Sequence, residues 1–314
     1  MTGLVADIGG TNARFSLVAS GGGLENETIL ATVDFPDFES ALQGYLNSLD
    51  KVPAIGRAAF SIAGPVAGDR AGMTNLGWTI SAAQIRRRFD LQEVHLVNDF
   101  AAIALAVPEL GDADRVQLGG GDADGEAPIA VIGPGTGLGV SALIPSPAGY
   151  LPLATEGGHV TLAAIDASED AVIGVLRRRF DHVSAERVLS GPGLRNIHAA
   201  LAELNGEKSA DLSPEEITGA ALSGDDPACR QALAMFFSLL GSVAGNLALT
   251  LRAGGGLYIA GGIVPDLIEA LQNSRFRERF EEKGRFKSYL ETIPTFVITR
   301  PNPALLGLSA MVGG

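Results

Sequence analysis

Asp7 is the first residue whose type and position could do chemistry. It follows the apolar run LVA and precedes the glycine-threonine turn GGTN. A carboxylate at the end of a buried strand is costly unless it faces a ligand, and a Mg²⁺ ion held partly through water would be a suitable one. Alternatively, Asp7 could form an Asx turn by accepting a hydrogen bond from the N–H of Gly9 or Gly10. The sequence leaves both interpretations open.

Asn98 and Asp99 end the apolar run HLV and stand directly before the helix-forming segment AAIALA. Asp99 could simply cap that helix. It could instead act as a general base at the carboxyl end of a parallel strand, where α/β proteins bind their ligands. A hydroxyl group that attacks the γ-phosphorus of a nucleotide needs such a carboxylate to orient it and to accept its proton. Both interpretations stay open.

The turn TEGGH, at 155–159, carries a third set of polar groups. Glu156 and His159 flank two glycines, and together they offer an acceptor and an adaptable donor or acceptor that would suit a polyol. A metal site is the alternative, but no third or fourth ligand stands at a usable spacing. Glu186, in SAERVLSGPG, could contact a ligand or only interact with the dipole of a capped helix whose first turn it occupies.

Two glycine-threonine turns repeat along the chain. When VADIGGTNARFSLV is placed over AVIGPGTGLGVSAL, Gly10 falls on Gly135, Thr11 on Thr136 and Ser16 on Ser141. Each segment has the pattern of a β-hairpin, so the repeat predicts two related lobes. Without Cβ atoms, successive N–H groups in such turns can point toward one anion. Two such turns would therefore hold a polyphosphate from both sides.

The surrounding segments predict how these groups are positioned. Strand patterns near Phe60 and Val97 enclose the amphipathic segment SAAQIRRRF, for which Ser81 is the expected N-cap, and this alternation predicts a mostly parallel α/β sheet. Ser213, followed by Pro214 and Glu216, has the pattern of a capping box. The Gly/Asp-rich run at 111–126 is the best candidate for a domain boundary. The charged stretch 275–291 is expected to be a solvated amphipathic helix.

Composition excludes several classes of function. The net charge of −13 over 314 residues disfavours nucleic acid as a partner, and the single cysteine allows no internal disulfide. The N-terminal segment does not resemble a secretory signal. The uncharged stretch 232–251 is long enough to span a membrane, but a stripe of polar residues follows one helical face, namely Ser238, Ser242, Asn246 and Thr250. That stripe favours a helix packed inside the protein or at a subunit contact, without a membrane partner.

The chain lacks both the P-loop motif and the GxGxxG dinucleotide motif. Instead DIGGTN, GPGTG and GGLYIAGGI occur in the order of the phosphate and adenosine motifs of the actin, sugar kinase and heat-shock ATPase superfamily. More specifically, the chain resembles the bacterial glucokinases, the non-zinc branch of the hexokinase-like fold. The motifs of this resemblance are DIGGTNARF, MTNLGW, NDF, GTGLG, EGGH, HVSAERVLSGPG, GGLYIAGGIVP, KGRF and NPALLG, and they span nearly the whole chain.

The resemblance implies an α/β, two-lobed, actin-like ATPase (ribonuclease H-like) fold with an interdomain cleft. It implies a small domain of residues 1–109 with 300–314 and a large domain of residues 110–299. It also implies a cytoplasmic homodimer that catalyses the first step of glycolysis, the ATP- and Mg²⁺-dependent phosphorylation of D-glucose. A kinase for another hexose or an amino sugar, or a sugar sensor without activity, would be the alternatives.

The resemblance also assigns roles to individual residues. Asp99 would be the base for the 6-hydroxyl of glucose, whereas the metal role of Asp7 rests on its own position at the end of a strand. The other sugar hydroxyls would be bound by Asn98, Glu156, His159 and Glu186, with help from the Gly137 amide. The ATP site would be lined by Ala6, Asp7, Ile8, Gly9, Gly10, Thr11, Gly135, Thr136, Gly261 and Gly262.

Overall fold

The computed structural model describes residues 2–73, 76–147 and 149–313. Thr74 and Asn75, in the MTNLGW motif, lie outside the described residues. The chain forms two compact units, one of residues 1–111, 152–154 and 300–314 and the other of residues 112–151 and 155–299. Whether these units are the two domains expected from the sequence stays a prediction.

Strands and helices alternate along much of the chain. The strands are β1 (Thr2–Ile8), β2 (Asn12–Val18), β3 (Leu24–Ala31), β4 (Ile55–Ile62), β5 (Val66–Ala67), β6 (Arg70–Met73), β7 (Trp78–Ser81), β8 (Glu93–Asn98), β9 (Arg115–Gly119), β10 (Ile129–Pro134), β11 (Leu138–Ser146), β12 (Gly149–Thr155), β13 (Leu257–Ile259) and β14 (Thr295–Ile298). The helices are α1 (Phe38–Ser48), α2 (Ala82–Arg88), α3 (Asp99–Ala106), α4 (Ala167–Arg177), α5 (Gly191–Leu204), α6 (Pro214–Ser223), α7 (Pro227–Leu251), α8 (Ile268–Gln272), α9 (Phe276–Glu281), α10 (Lys287–Thr292) and α11 (Pro303–Val312).

The first unit contains a five-stranded sheet in the order β3-β2-β1-β4-β8. The predicted hairpin of β1 and β2 is present, and β1, β4 and β8 run parallel. The register places Asp7 opposite Arg14 on β2 and opposite Ser61 on β4, while Ile62 lies opposite Asn98. Because parallel strands end at the same edge of a sheet, Asp7 and the segment that follows β8 share that edge.

Apolar side chains cover both faces of this sheet. On one face, the rings of Phe15 and Tyr45 stack with centroids 5.1 Å apart, and α1 thereby packs on the strands. On the other face, α3 and α11 lie against each other, and a Cβ at Gly307 would come 2.0 Å from the carbonyl oxygen of Ala102. This close approach of two helices fixes α3, the helix that begins at Asp99.

The second unit contains a six-stranded sheet in the order β12-β11-β10-β13-β14-β9, except for residues 152–154 of β12, which are grouped with the first unit. The predicted second hairpin is formed by β10 and β11, and β10 runs parallel to β13. The predicted capping box at α6 is also present: Ser213 Oγ accepts from the Glu216 N–H over 3.1 Å, and the Glu216 carboxylate accepts from the Ser213 N–H over 2.7 Å.

Among the described residues, α7 is the helix long and apolar enough to cross a membrane. However, 72% of its most apolar 18-residue window is buried inside the structure. Of its polar stripe, Ser242 faces α9 and accepts at Oγ from Arg279 Nε over 3.1 Å, whereas Asn246 and Thr250 are exposed. A Cβ at Gly241 would lie 2.2 Å from the carbonyl oxygen of Phe276, so the two helices pack closely. The apolar length of α7 is therefore explained by packing within its own unit.

The prediction of a solvated amphipathic helix over 275–291 was wrong. The segment forms α9, a 3₁₀ turn and α10, and the side chains of Phe276, Arg279 and Phe280 are buried. Arg279 is only 1% exposed and forms an ion pair with the equally buried Glu169 over 2.7 Å. Charge alternation alone did not reveal this buried ion pair, because its acidic partner is distant in sequence.

Candidate functional site

The Asp7 carboxylate lies between two side chains from neighbouring strands. Ser61 Oγ donates a hydrogen bond to Asp7 Oδ1 over 2.6 Å, and Arg14 Nη1 lies 3.6 Å from Oδ2. Burial raises the pKa of Asp7, and this effect exceeds the opposing ones of the Ser61 hydrogen bond and the Arg14 charge. The Asx turn is not observed at Gly9, whose N–H donates to the carbonyl of Asn12 over 2.9 Å. Of the two N–H groups that could close an Asx turn, that of Gly9 is thus engaged elsewhere, and Ser61 and Arg14 are the neighbours of the Asp7 carboxylate.

Asn98, and not Asp99, caps α3. Asn98 Oδ1 accepts from the N–H groups of Phe100 and Ala101, over 3.0 and 3.2 Å. Asp99 is the first residue of the helix, and its Oδ1 accepts from Asn98 Nδ2 and from the Phe100 N–H, each over 2.9 Å. The sequence-based alternative of Asp99 as N-cap is therefore wrong, since its neighbour takes that role.

Burial raises the pKa of Asp99 from 3.8 to about 6. The hydrogen bond from Phe100 acts in the opposite direction, whereas the nearby charge of Asp7 raises the pKa further. A carboxylate with a pKa near 6 is largely ionised at neutral pH, yet it is more basic than an ordinary aspartate. Those are the properties required of a general base.

Thr32, which was not predicted as a site residue, stabilises the first glycine turn by hydrogen bonds. Thr32 donates its N–H to the carbonyl of Thr11 and its hydroxyl to the carbonyl of Gly10, each over 3.0 Å. Gly10 and Thr11 are exposed at the tip of the turn, and Gly9 is half-buried. Ala6 and Ile8 are buried within β1, so only their main-chain groups could contact a ligand.

The second glycine turn connects β10 and β11. Gly135 donates its N–H to the carbonyl of Gly137 over 2.8 Å and accepts at its carbonyl from the N–H of Gly191 over 2.8 Å. Thr136 is exposed at the tip. The turn is thus anchored to the start of α5, which leaves the tip to face a ligand.

Gly261 and Gly262 form a further turn beside the end of β10. Gly261 has φ +89°, a left-handed conformation that favours glycine, and a Cβ there would lie 2.3 Å from the carbonyl oxygen of Pro134. A Cβ at Gly262 would meet nothing within 4 Å. The turn therefore packs tightly through Gly261 and stays open at Gly262.

Glu156, His159 and Glu186 come together beside the second glycine turn. His159 Nε2 lies 3.9 Å from Glu156 Oε2, and His159 Nδ1 lies 4.0 Å from Glu186 Oε1. The side chains of Glu156 and His159 are 76% and 58% exposed, so they are accessible to a ligand. Glu186 Oε2 accepts a hydrogen bond from the main-chain N–H of Leu138 over 2.9 Å. This arrangement presents several acceptors and one imidazole to a polyhydroxylated ligand.

The helix-dipole interpretation of Glu186 is not supported by the fold. Glu186 lies in a three-residue 3₁₀ turn, Ala185–Arg187, and the Ser184 side chain makes no capping hydrogen bond to it. The carboxylate is instead directed to the main chain of β11, more than forty residues earlier in the sequence. That long-range contact could not be read from local sequence.

Among the described residues, the group compact enough to hold a metal ion through three side chains is His198, Asp226 and Cys229. Asp226 caps α7 by accepting from the N–H groups of Ala228 and Cys229, over 2.8 and 3.2 Å. Burial raises the pKa of Cys229 to about 11, which keeps it a thiol at neutral pH. Helix capping accounts for the position of the Asp226 carboxylate in this group.

Within the first unit, the structure gathers Asp7, Asn98 and Asp99 at one sheet edge, next to the turn at 9–12. Within the second unit, it gathers the turns at 135–137 and 261–262 and the carboxylates of Glu156 and Glu186. Arg14, Ser61 and Thr32 were not among the site residues predicted from the sequence. The hairpin register could have revealed Arg14, because a hairpin loop of residues 9–12 places residue 14 opposite residue 7.

The chain is similar to a family model and to several curated proteins that are named glucokinase. The glucokinase family model matches residues 4–313. A glucokinase of Paramagnetospirillum magneticum is 48% identical over 310 residues, covering 98% of this chain and 97% of that protein. A glucokinase of Aromatoleum aromaticum is 49% identical over 305 residues, covering 97% of this chain and 92% of that protein.

Solved structures confirm the predicted actin-like α/β fold class. The crystal structure of a glucokinase from an Antarctic psychrotroph is 38% identical and has a TM-score of 0.91, covering 99% of this chain and 98% of that chain. A ROK family glucokinase from Streptomyces griseus, solved in complex with glucose and AMPPNP, has a TM-score of 0.66 at 20% identity, with 99% of each chain covered. The latter shows only that the fold is shared.

Proposed function

The chain belongs to the glucokinase family, and from this premise we propose that it transfers the γ-phosphoryl group of ATP to the 6-hydroxyl of D-glucose. The products are glucose 6-phosphate and ADP. The observation that carries this proposal beyond the family name is the Asp99 carboxylate, which stands directly after β8 with a pKa raised to about 6. This is the group that a phosphoryl transfer to an alcohol requires.

Asp99 accepts the proton of the 6-hydroxyl as that oxygen forms its bond to the γ-phosphorus and the bond from this phosphorus to ADP breaks. Both hydrogen bonds that hold the carboxylate reach Oδ1, so we assign Oδ2 as the atom that takes the proton. Asn98 contributes by fixing Oδ1 through its amide while its own Oδ1 caps α3. A base held in this way costs little reorganisation at the moment of reaction.

The N–H groups of Gly9 and Gly135 donate within their own turns, so the ATP phosphates are bound by the main-chain N–H groups of the exposed tip residues Gly10, Thr11 and Thr136. The nucleoside is bound by the turn at 261–262. The exposed tips of the first two turns support this assignment. Since the whole chain carries a net charge of −13, a polyanion must be bound by such local donors and by a cation.

Asp7 fits the role of the residue that holds Mg²⁺, in part through water. Its carboxylate offers the hard oxygen ligand that Mg²⁺ prefers, and burial has raised its pKa, so a nearby cation would relieve an unfavourable charge. Arg14, at 3.6 Å, provides only part of that compensation. When bound, Mg²⁺ would neutralise charge on the phosphates.

Glucose hydroxyls are bound by Asn98, Glu156, His159 and Glu186, and the Gly137 amide assists. Carboxylate pairs that accept hydrogen bonds discriminate strongly against sugars that lack the matching hydroxyl. Of the three side chains in the second unit, Glu186 is the most firmly placed, because the Leu138 N–H holds one of its oxygens. The carboxylates and the exposed imidazole support a sugar ligand, and the family supports glucose.

Further features remain predictions from the family resemblance. They are the homodimer, the cytoplasmic location, the place at the start of glycolysis and a cleft between two domains that close on the substrates. Closure would exclude water, which otherwise competes with the sugar for the phosphoryl group.

A coupled assay tests the proposed function. Purified protein with ATP, Mg²⁺ and glucose is expected to release one ADP per glucose 6-phosphate formed, and a panel of hexoses and amino sugars is expected to give the highest kcat/KM with glucose. Preference for another sugar would redefine the substrate. Glucose binding without ADP release would instead indicate a sensor.

A further inference from the structure

Ser61 is a fully buried serine whose hydroxyl donates a hydrogen bond to another side chain. It lies in β4, directly opposite Asp7 in the parallel register, and donates to Asp7 Oδ1 over 2.6 Å. Ser16, in β2 of the same sheet, is buried to the same extent, yet its hydroxyl donates to the main-chain carbonyls of Leu17 and Glu25. Only the first of these two hydroxyls contacts a group of the proposed site.

We propose that Ser61 is a positioning residue that fixes the Asp7 carboxylate for the metal-bound nucleotide. The inference rests on the proposed function, since it assigns Asp7 to the nucleotide site. It goes beyond that function because Ser61 itself touches neither the nucleotide nor the sugar in our assignment and acts only through Asp7.

The neighbour on the other side shows why such a residue is needed. Arg14 Nη1 lies 3.6 Å from Asp7 Oδ2, which is longer than a hydrogen bond. Arg14 Nε is buried and has no hydrogen-bond partner among the residues that the structure describes. A guanidinium in that position could bind both carboxylate oxygens, which is the strongest geometry for an arginine and an aspartate.

The short hydrogen bond from Ser61 prevents that pairing by holding Oδ1 toward β4. The three residues Arg14, Asp7 and Ser61 stand in one row across β2, β1 and β4. Removal of the hydroxyl leaves Oδ1 without its donor and frees the carboxylate to rotate toward Arg14. The Asp7 carboxylate would then pair with the Arg14 guanidinium and would no longer be available to bind the metal.

The experiment compares Ser61→Ala with the matched control Ser16→Ala in the full-length protein. Binding of AMPPNP is measured by calorimetry with and without Mg²⁺, and the readout is the factor by which Mg²⁺ strengthens binding. We expect Ser61→Ala to reduce this factor by about tenfold, as for loss of a hydrogen bond to a charged group. Ser16→Ala should keep the wild-type factor, and the KM for glucose should stay unchanged in both variants.

Two further variants cover a failure of Ser61→Ala to fold. Ser61→Cys has nearly the same shape but is a weak donor, so it should show the same loss of the Mg²⁺ effect. Ser61→Thr keeps the hydroxyl and should retain the wild-type factor. A wild-type Mg²⁺ effect in a folded Ala or Cys variant would overturn the proposal, and so would an equal loss in Ser16→Ala.

Failure of the positioning role and failure of the function give different results. If the wild-type protein releases no ADP with glucose, the proposed kinase activity is refuted, and so is the positioning role that depends on it. If the wild-type protein is active and Ser61→Ala matches it in Mg²⁺-dependent AMPPNP binding, only the positioning role of Ser61 is wrong.

Discussion

The main-chain N–H of Leu138 donates a hydrogen bond to Glu186 Oε2 over 2.9 Å, and this bond passes directly beside Gly137. A Cβ at residue 137 would lie 2.5 Å from the same carboxylate oxygen. The absence of a side chain at Gly137 therefore sets the position of Glu186. The second glycine turn thus contributes to the proposed sugar site as well as to the proposed phosphate site.

Gly137→Ala should displace Glu186 without unfolding the protein, because the clashing atom is the end of a flexible side chain. We expect the KM for glucose to rise by about tenfold or more, through loss of one charged hydrogen bond, with a smaller change for ATP. Gly174→Ala is the control, since a Cβ there meets nothing within 4 Å. Steady-state kinetics with unchanged glucose KM in Gly137→Ala would show that Glu186 does not bind the sugar.

Glu156→Gln should weaken glucose binding far more than ATP binding. The exposed carboxylate would become an amide that offers one acceptor fewer, and a site built for hydroxyls then loses a pairing. Calorimetric titration with each substrate measures both affinities. The exposed Glu207→Gln serves as the control, and equal losses for glucose and AMPPNP in the Glu156 variant would count against a sugar role.

Gly261→Ala should destabilise the protein, whereas Gly262→Ala should not. The first substitution places a Cβ 2.3 Å from a carbonyl oxygen in a backbone of φ +89°, and the second meets open space. We expect a loss of about 2 kcal/mol or more for Gly261→Ala, the scale of overpacking combined with backbone strain. Urea unfolding of both variants checks the difference, and similar midpoints would refute the proposed packing of this turn.

The activity should depend on the ionisation of Asp99. Protonation removes the base, so log kcat/KM for glucose should fall with unit slope below pH about 6 and reach a plateau above it. A melting curve at each pH separates this titration from unfolding. An activity that stays constant down to pH 5 would show that Asp99 has an ordinary pKa or is not the base.

The stability of the fold should also depend on the ionisation of Asp99, but it should fall with rising pH where the activity rises. Because the folded-state pKa of Asp99 lies above 3.8, its contribution to stability is fully present below pH 3.8 and is lost as the pH rises through about 6. At neutral pH the folded protein therefore bears the cost of a partly buried charge. Asp99→Asn should remove this cost and raise stability by about 1 to 2 kcal/mol, less than the full shift implies because the side chain is partly solvated.

Much of the framework could be predicted because it is encoded locally. The hairpins around 9–12 and 135–137, the capping box at Ser213 and the proline-started α11 each follow from a few adjacent residues. Strand alternation with helices also predicted the α/β class. These features require only propensity, capping and turn chemistry.

The contacts that orient the site residues could not be predicted in the same way. Ser61 and Asp7 lie on neighbouring strands but are 54 residues apart in the sequence, and Glu186 and Leu138 are 48 residues apart. The N-cap of α3 was not predicted correctly either, because only Asp99 was expected as a cap and its neighbour Asn98 is an equally good N-cap residue. The structure shows that Asn98 is the N-cap, so the Asp99 carboxylate is not needed for that role.

Asp99→Asn tests the central claim most directly. The amide oxygen can still accept from Asn98 and Phe100, so the variant should remain folded and bind glucose and AMPPNP with affinities close to those of the wild type. Its kcat for glucose 6-phosphate formation should fall by about 10² to 10⁴, the usual contribution of a positioned base. Near-normal turnover in this folded variant would contradict the assignment of Asp99 and, with it, the mechanism proposed for this protein.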